Sequence, residues 1–269
     1  MELNKIYNES NLETIKRIDE KSVDIVLTSP FYNTNLKCGK GRTLLNTKVK
    51  KEHFHYLRYD VFIDNMSNEE YSNYCVDLFN GFDKILKENG VVLWNVNYGC
   101  ENTNCMFTTI ADIINKTNFS VLDVICWKKK NAIPNSTSPN SLTRIWEFIF
   151  VLCRDNELQT AYCNKRSVSK RDNGQVMYEN IYNFVEAKNN DEKCPFNKAT
   201  YSTDLCKRLL ELYAPKNAIA YDPFMGSGTT AVACKEMGLN YIGSEISPNQ
   251  VEWANNRIAN TLRQQTFDF

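Results

Sequence analysis

The stretch from Ile219 to Glu245 constrains the fold more than any other part of the chain. An apolar strand, Ile219-Ala220-Tyr221, runs into Asp222-Pro223-Phe224-Met225-Gly226-Ser227-Gly228-Thr229-Thr230. Glycines at 226 and 228 allow a tight turn and a close approach of backbone to a ligand. A helix is predicted from Thr229 to Met237, and its first turn offers free N–H groups to a carboxylate or other polar group. Another predicted strand, Tyr241-Ile242-Gly243, then ends at Ser244-Glu245. An acid at such a strand end can accept hydrogen bonds from ribose hydroxyls, as in dinucleotide folds. Strand, glycine loop, helix, strand and acid in this order point to a ligand cradle rather than a plain turn. No Gly-Lys-Ser/Thr follows the glycines, so a Walker phosphate loop is disfavoured.

The rest of the chain alternates in the same way. Strands are predicted at Ile6-Tyr7, Val23 to Leu27, Val91 to Val96, Ser120 to Trp127 and Phe148 to Cys153. Helices are predicted near Leu12 to Ile18, from Ser67 to about Lys87, and at Phe107 to Lys116, Ser202 to Tyr213 and Pro248 to Asn260. Ser67 caps its helix with Glu70 three residues on, and Asn89-Gly90 stops it. The expectation is one α/β domain over residues 1–269, with a doubly wound, mostly parallel sheet. Ligands in such sheets bind at the carboxyl ends of strands. A second motif sits at one of those ends, Thr28-Ser29-Pro30-Phe31-Tyr32-Asn33 after Val23 to Leu27. Taken alone, it reads equally well as a proline-stiffened turn that packs two rings into the core. Two polar stretches interrupt the alternation, a basic insertion at 33–65 and a segment of little core at 155–195.

Lysine and arginine number 32 and aspartate and glutamate 32, so the formal net charge is zero. That balance argues against a wholly basic nucleic-acid coat and leaves a neutral body with a local basic face. Segment 37–58 carries Lys37, Lys40, Arg42, Lys48, Lys50, Lys51 and Arg58 against the single acid Glu52. Lys128, Lys129, Lys130 and Arg144 form a second run, and Lys165, Arg166, Lys170 and Arg171 a third. A charge run is usually a solvated face, but three near one cleft point to phosphate contact. No stretch approaches the roughly 20 apolar residues of a membrane helix, and the polar N-terminus is unlike a signal peptide. A cytoplasmic protein with no membrane partner is expected. The ten cysteines contain no CxxC pair and read as small buried hydrophobes or free thiols. Nothing near His53 and His55 completes a metal site, so no metal is expected.

Together the two motifs resemble those of the bacterial and phage DNA amino-methyltransferases of the permuted class called beta. In that family a Ser/Asp/Asn-Pro-Pro-Tyr/Phe motif comes early and a Phe-x-Gly-x-Gly donor loop comes late. Thr28 to Asn33 is similar to the first and Asp222 to Thr230 to the second. Lys87 to Leu93 is similar to the family's turn before a strand, Ile125 to Lys130 to its Trp-x-Lys segment, and Arg144 to Ile149 to the strand after it. Asn197-Lys198-Ala199-Thr200 resembles the lead into the helix that closes over the donor. One departure stands out: the family's second proline is Phe31 here, which relaxes the loop because proline fixes φ.

The resemblance implies a Rossmann-like methyltransferase fold with small target-recognition insertions. It also implies a site-specific enzyme that moves a methyl group from S-adenosylmethionine to an exocyclic amine of a flipped base in double-stranded DNA, without a metal. Ser29, Pro30, Phe31 and Tyr32 are then the catalytic candidates. The Ser29 hydroxyl and Pro30 carbonyl accept from the amine, and Tyr32 or Phe31 stacks on the base. Donor contacts fall to Thr28, Lys198, Thr200, Asp222, Pro223, Phe224, Gly226, Gly228, Thr229 and Glu245. Phosphate contacts fall to Lys37, Lys40, Arg42, Lys128, Lys130 and Arg144. Residues 155–195 occupy the family's target-reading slot. Ser29 leans the target toward cytosine N4, with adenine N6 the alternative, since adenine enzymes more often carry Asp or Asn there. A cognate restriction endonuclease and a homodimer are partners the class allows. A methyltransferase acting on RNA or a small molecule, and a DNA-binding module without catalysis, are the other readings.

Overall fold

The structure, a computed structural model, describes residues 1–33, 37–38, 42–43, 66–97, 103–132, 134–136, 139–140, 142–191, 193–197 and 199–261. Most of the basic insertion, including Lys40, His53 and His55, lies outside them, as does Lys198.

In chain order the elements are β1 (Lys5–Tyr7), α1 (Asn11–Arg17), β2 (Val23–Thr28), β3 (Lys37–Cys38), β4 (Arg42–Thr43), α2 (Asn68–Ile85) and β5 (Leu86–Val96). They continue with α3 (Thr103–Lys116), β6 (Phe119–Lys129), β7 (Trp146–Arg154), β8 (Ser167–Lys170), β9 (Val176–Tyr178), β10 (Phe184–Ala187), α4 (Thr203–Tyr213), β11 (Ile219–Asp222), α5 (Thr229–Met237), β12 (Asn240–Ser244) and α6 (Pro248–Ala259). Eight strands form one sheet in the order β1-β12-β11-β2-β5-β7-β6-β10. Within it, only β7 runs antiparallel to its neighbours, beside β5 and β6.

The sheet is buried on both faces at its centre. Ile25, Leu27, Val91 and Leu93 point to the side covered by α4, α5 and α6. Val23, Val26, Val92 and Trp94 point to the side of α1, α2 and α3. The alternation along Ile25 to Leu27 and Val91 to Trp94, apolar on both faces, is why β2 and β5 read as hydrophobic runs. On the second side Phe79 packs edge-on against Phe82 at 5.2 Å, Trp94 at 5.3 Å and Phe119 at 5.2 Å. Ser67 and Glu70 form the complete capping box of α2, which contributes about 1 kcal/mol to a helix start.

Two expectations shift. The helix expected to reach Lys87 ends at Ile85, and β5 begins at Leu86 with a register shift against β2 before Val91. There Asn89 takes a left-handed φ of 62°, and a Cβ on Gly90 would lie 3.0 Å from the Asp24 carbonyl. The segment 155–195 is not wholly outside the core. β8 and β9 form an exposed hairpin, but β10 pairs with β6 as the outer strand of the main sheet and buries Val185 and Ala187. Of the cysteines, Cys75, Cys105, Cys153, Cys194, Cys206 and Cys234 are buried thiols and Cys163 is exposed. Among the described residues no helix is long and apolar enough to cross a membrane.

Candidate active site

β11 lies between β12 and β2 in the sheet, so the two sequence motifs emerge side by side although they are far apart in the chain. Asp222 joins them. Its side chain is 1% exposed. One oxygen accepts from the Thr28 hydroxyl at 2.6 Å and the Phe224 N–H at 3.0 Å. The other accepts from the Thr230 hydroxyl at 2.6 Å and the Tyr201 hydroxyl at 3.2 Å. Burial pushes the Asp222 carboxyl upward, and these four donors pull against that shift. With its acceptor capacity committed inside the protein, Asp222 is placed to hold the loop rather than to contact a ligand. Thr28 is its partner and equally buried.

A cleft opens over this junction, lined among others by Ser29, Phe31, Thr200, Pro223, Phe224, Gly226, Thr229 and Glu245. The Glu245 carboxylate accepts from the Gly226 N–H at 2.9 Å and the Ser247 N–H at 2.8 Å. The acid after β12 thereby fixes the glycine loop after β11. Gly228 has φ of 81°, and a Cβ there would lie 2.7 Å from the Ala254 Cβ, so only glycine lets α6 pack against the loop. Gly228 supports the cleft from behind and is not part of its lining. Glu9, Ser10 and Asn11 of the β1–α1 turn also line the cleft. They carry no local pattern, and only the pairing of β1 with β12 brings them there.

Phe31 and Tyr32 part company. The Phe31 ring packs against Tyr71 at 5.0 Å, Tyr74 at 5.8 Å and Phe224 at 5.9 Å, in the wall of the first cleft. Tyr32 turns into a second cleft, with Ser29, Asn95, Trp127, Lys129, Glu147 and Asn189 around it. Ser29, Ala199, Thr200 and Tyr201 border both clefts. Pro30 is buried.

The second cleft holds a polar network. The Ser29 and Tyr32 hydroxyls lie 2.8 Å apart, and Tyr32 donates to a Glu147 oxygen at 3.2 Å. The Asn95 amide nitrogen reaches Ser29 at 3.2 Å, Tyr32 at 3.1 Å and Glu147 at 3.0 Å. Lys129 pairs with the other Glu147 oxygen at 2.5 Å. Glu147 and Asn95 are 4% and 3% exposed. Asn95, Lys129 and Glu147 were not among the catalytic candidates. Their signal is faint: a polar residue at the end of the apolar run Val91 to Val96, and an acid at a buried position near the start of β7.

The basic candidates scatter. Lys130 and Arg144 are exposed at this end of the sheet. Lys128 lies on the opposite face from Trp127 and Lys129, paired with Glu186 at 3.4 Å. Lys37 and Arg42 sit in the small β3–β4 ladder. Lys40 and Lys198 lie outside the described residues.

The model of the N6/N4 DNA methylase family matches residues 23–256. The chain belongs to that family. Among curated relatives, the methylase is 24% identical to the type II methyltransferase M.BglII of Bacillus subtilis, over 97% of this chain and 74% of that one. It is 25% identical to M.HinfI of Haemophilus influenzae, over 95% and 68%. Among solved structures it shares the fold of the PvuII DNA methyltransferase, described as cytosine-N4-specific, at TM-score 0.69 and 14% identity, covering 97% and 94%. An M1.HpyAVI–SAM complex matches at TM-score 0.59 and 19% identity, covering 94% and 98%. The methylase is therefore an S-adenosylmethionine-dependent DNA methyltransferase of α/β, Rossmann-like fold.

The first cleft fits that donor by its own chemistry. Phe224, Phe31 and Ile246 offer apolar surface for a purine, Glu245 offers acceptors for a sugar diol, and the start of α5 with Ser227 and Thr229 offers polar groups for the amino-acid end. Replacing Glu245 with alanine removes the acid and frees the Gly226 N–H. The expected result is donor affinity weaker by about 10–100-fold, as for lost hydrogen bonds to a charged group. Isothermal titration with S-adenosylmethionine measures it, and an unchanged Kd would move the sugar site elsewhere.

Proposed function

We propose that the methylase transfers a methyl group to the N4 amine of a cytosine flipped out of double-stranded DNA, within a short recognition site. The observation that carries this reading is the position of Ser29 in the wall shared by the two clefts. One cleft suits the donor. The other is polar, is lined by Tyr32 beside Asn95 and Glu147, and suits a single base.

The lone pair of an exocyclic amine is delocalised into its ring, so the amine is a poor nucleophile. It needs acceptors that hold its hydrogens while the nitrogen becomes tetrahedral. The Ser29 hydroxyl and the Pro30 carbonyl supply them, as positioning and electrostatic preorganisation without a covalent intermediate. Bound S-adenosylmethionine supplies an electrophilic methyl group. Glu245, the glycine loop and Phe224 hold that donor, and Thr200 and Tyr201 form the rim between the clefts. The Tyr32 ring offers a face that offsets part of the few kcal/mol needed to unstack the base.

Serine rather than aspartate or asparagine at position 29 supports cytosine. Lys130, Arg144 and the β8–β9 hairpin, with Arg166, Lys170 and Arg171, are proposed to meet the phosphates and grooves. The curated relatives named above are type II methyltransferases, which supports a role opposite a restriction endonuclease.

The test is to incubate the protein with unmethylated genomic DNA and S-adenosylmethionine, digest to nucleosides and identify the product by mass spectrometry. N4-methylcytosine is expected. N6-methyladenine would keep the mechanism and show that Ser29 does not set the base. No methylated base, with donor binding intact, would turn the search to RNA.

A further inference from the structure

We propose that Glu147 is the proton acceptor of methyl transfer, connected to Ser29 through the Tyr32 hydroxyl. The inference rests on the function proposed above and gives a role to a residue that was not among the catalytic candidates.

The direction of the hydrogen bonds carries the argument. The Tyr32 hydroxyl has one hydrogen, and it points to Glu147. In the Ser29–Tyr32 pair, serine is then the donor and the tyrosine oxygen the acceptor. The amide nitrogen of Asn95 approaches the Ser29 oxygen, the Tyr32 oxygen and Glu147 alike, the orientation an asparagine must take when it faces a carboxylate. Ser29 donates toward tyrosine and keeps acceptor capacity for the amine. A continuous line of O–H donors thus runs from Ser29 to a carboxylate 4% exposed. Charged groups face Glu147 from one other described element only: Lys129 of β6, whose ammonium holds the far oxygen. The Asn95 oxygen is buried without a hydrogen-bond partner among the described residues.

The step balances. The nitrogen–methyl bond forms as the donor's carbon–sulfur bond breaks, and that electron pair stays on sulfur. The nitrogen, now carrying four bonds and a positive charge, loses one proton to the Ser29 oxygen. Ser29 passes its own proton to Tyr32, and Tyr32 passes its proton to Glu147. Both hydroxyls are restored, and Glu147 ends as a neutral acid beside the Lys129 cation. The open cleft then returns the proton to water. A proton on a four-bonded exocyclic nitrogen is strongly acidic, so a carboxylate suffices as acceptor. Before the transfer, the negative charge also favours the positive charge growing on nitrogen. Glu147 acts through Tyr32 and does not touch the base, so it is a positioning and proton-accepting residue rather than a contact.

The experiment compares the parent with Glu147→Gln, Glu147→Asp and Tyr32→Phe. It measures single-turnover methylation of a defined duplex by rapid quench, and DNA and donor affinity separately. Glu147→Gln is expected to slow the single-turnover rate about 100-fold, within the range of a lost general base, with both affinities within about twofold of the parent. Glu147→Asp is expected to recover part of the rate. Tyr32→Phe keeps the Glu147–Lys129 pair and is expected to lose about 10-fold or more, which preserves the test if Glu147→Gln does not fold. An active parent with Glu147→Gln or Tyr32→Phe undiminished overturns the relay alone. A loss of affinity matching the loss of rate overturns it as well, in favour of a structural role. A parent that yields no methylated base overturns the proposed function together with the relay.

Discussion

Ser29→Ala is expected to lower the single-turnover rate of methyl transfer by about 10²–10³-fold, the range seen when one preorganised hydrogen-bonding group at a reacting centre is removed. Donor affinity is expected to stay within about twofold. The reason is geometric. The hydroxyl sits where the two clefts meet, 2.8 Å from Tyr32 and within reach of Asn95, whereas the glycine loop and the acid that suit the donor follow β11 and β12. Rapid-quench kinetics and titration calorimetry on the same preparation separate the two quantities. Parallel loss of both would contradict the division of labour between the clefts.

The second large effect is on stability. Asp222→Ala leaves the Thr28, Thr230 and Tyr201 hydroxyls and the Phe224 N–H without their acceptor. Each unsatisfied buried group costs about 1–3 kcal/mol. Rearranged hydroxyls and the removed buried charge recover some of that, so a net loss of about 3–5 kcal/mol is expected. In a chain of this size that lowers Tm on the order of 10 °C. Thermal melts followed by circular dichroism read it. Asp222→Asn, which keeps the size and one acceptor, is expected to fall between the two. A melt unchanged in Asp222→Ala would mean that the junction of β2, β11 and α5 is held by packing alone.

The alternation of strands and helices was legible because the central strands are apolar on both faces and the helices are punctuated. Ser67, Ser202 and Ser247 each cap a helix with a side-chain bond. The edges were less legible. β10 is four residues in a polar segment, and it becomes a strand only because β6 offers a free edge. Phe31 and Tyr32 are adjacent, so no pattern distinguishes them. The loop sends them to opposite sides, one toward Tyr71, Tyr74 and Phe224 and the other toward Glu147. Glu147 and Lys129 are hidden for a related reason. Their pairing is a property of two antiparallel strands in register, Trp127 opposite Glu147, and neither residue type marks it locally.

The bond between Thr28 and Asp222 spans 194 residues. On the ribosome, at about 5–20 residues per second, the catalytic loop therefore exists for about 10–40 s before its partner is made. During that interval β2 has β5 on one side and nothing on the other, since the strand that will cover it has yet to be translated. The nascent chain carries an open, largely apolar strand edge, the kind of surface that invites aggregation or chaperone capture. A methylase built in this order cannot bind its donor early, and its yield should depend on how well the cell shelters that edge until β11, near the end of the chain, arrives.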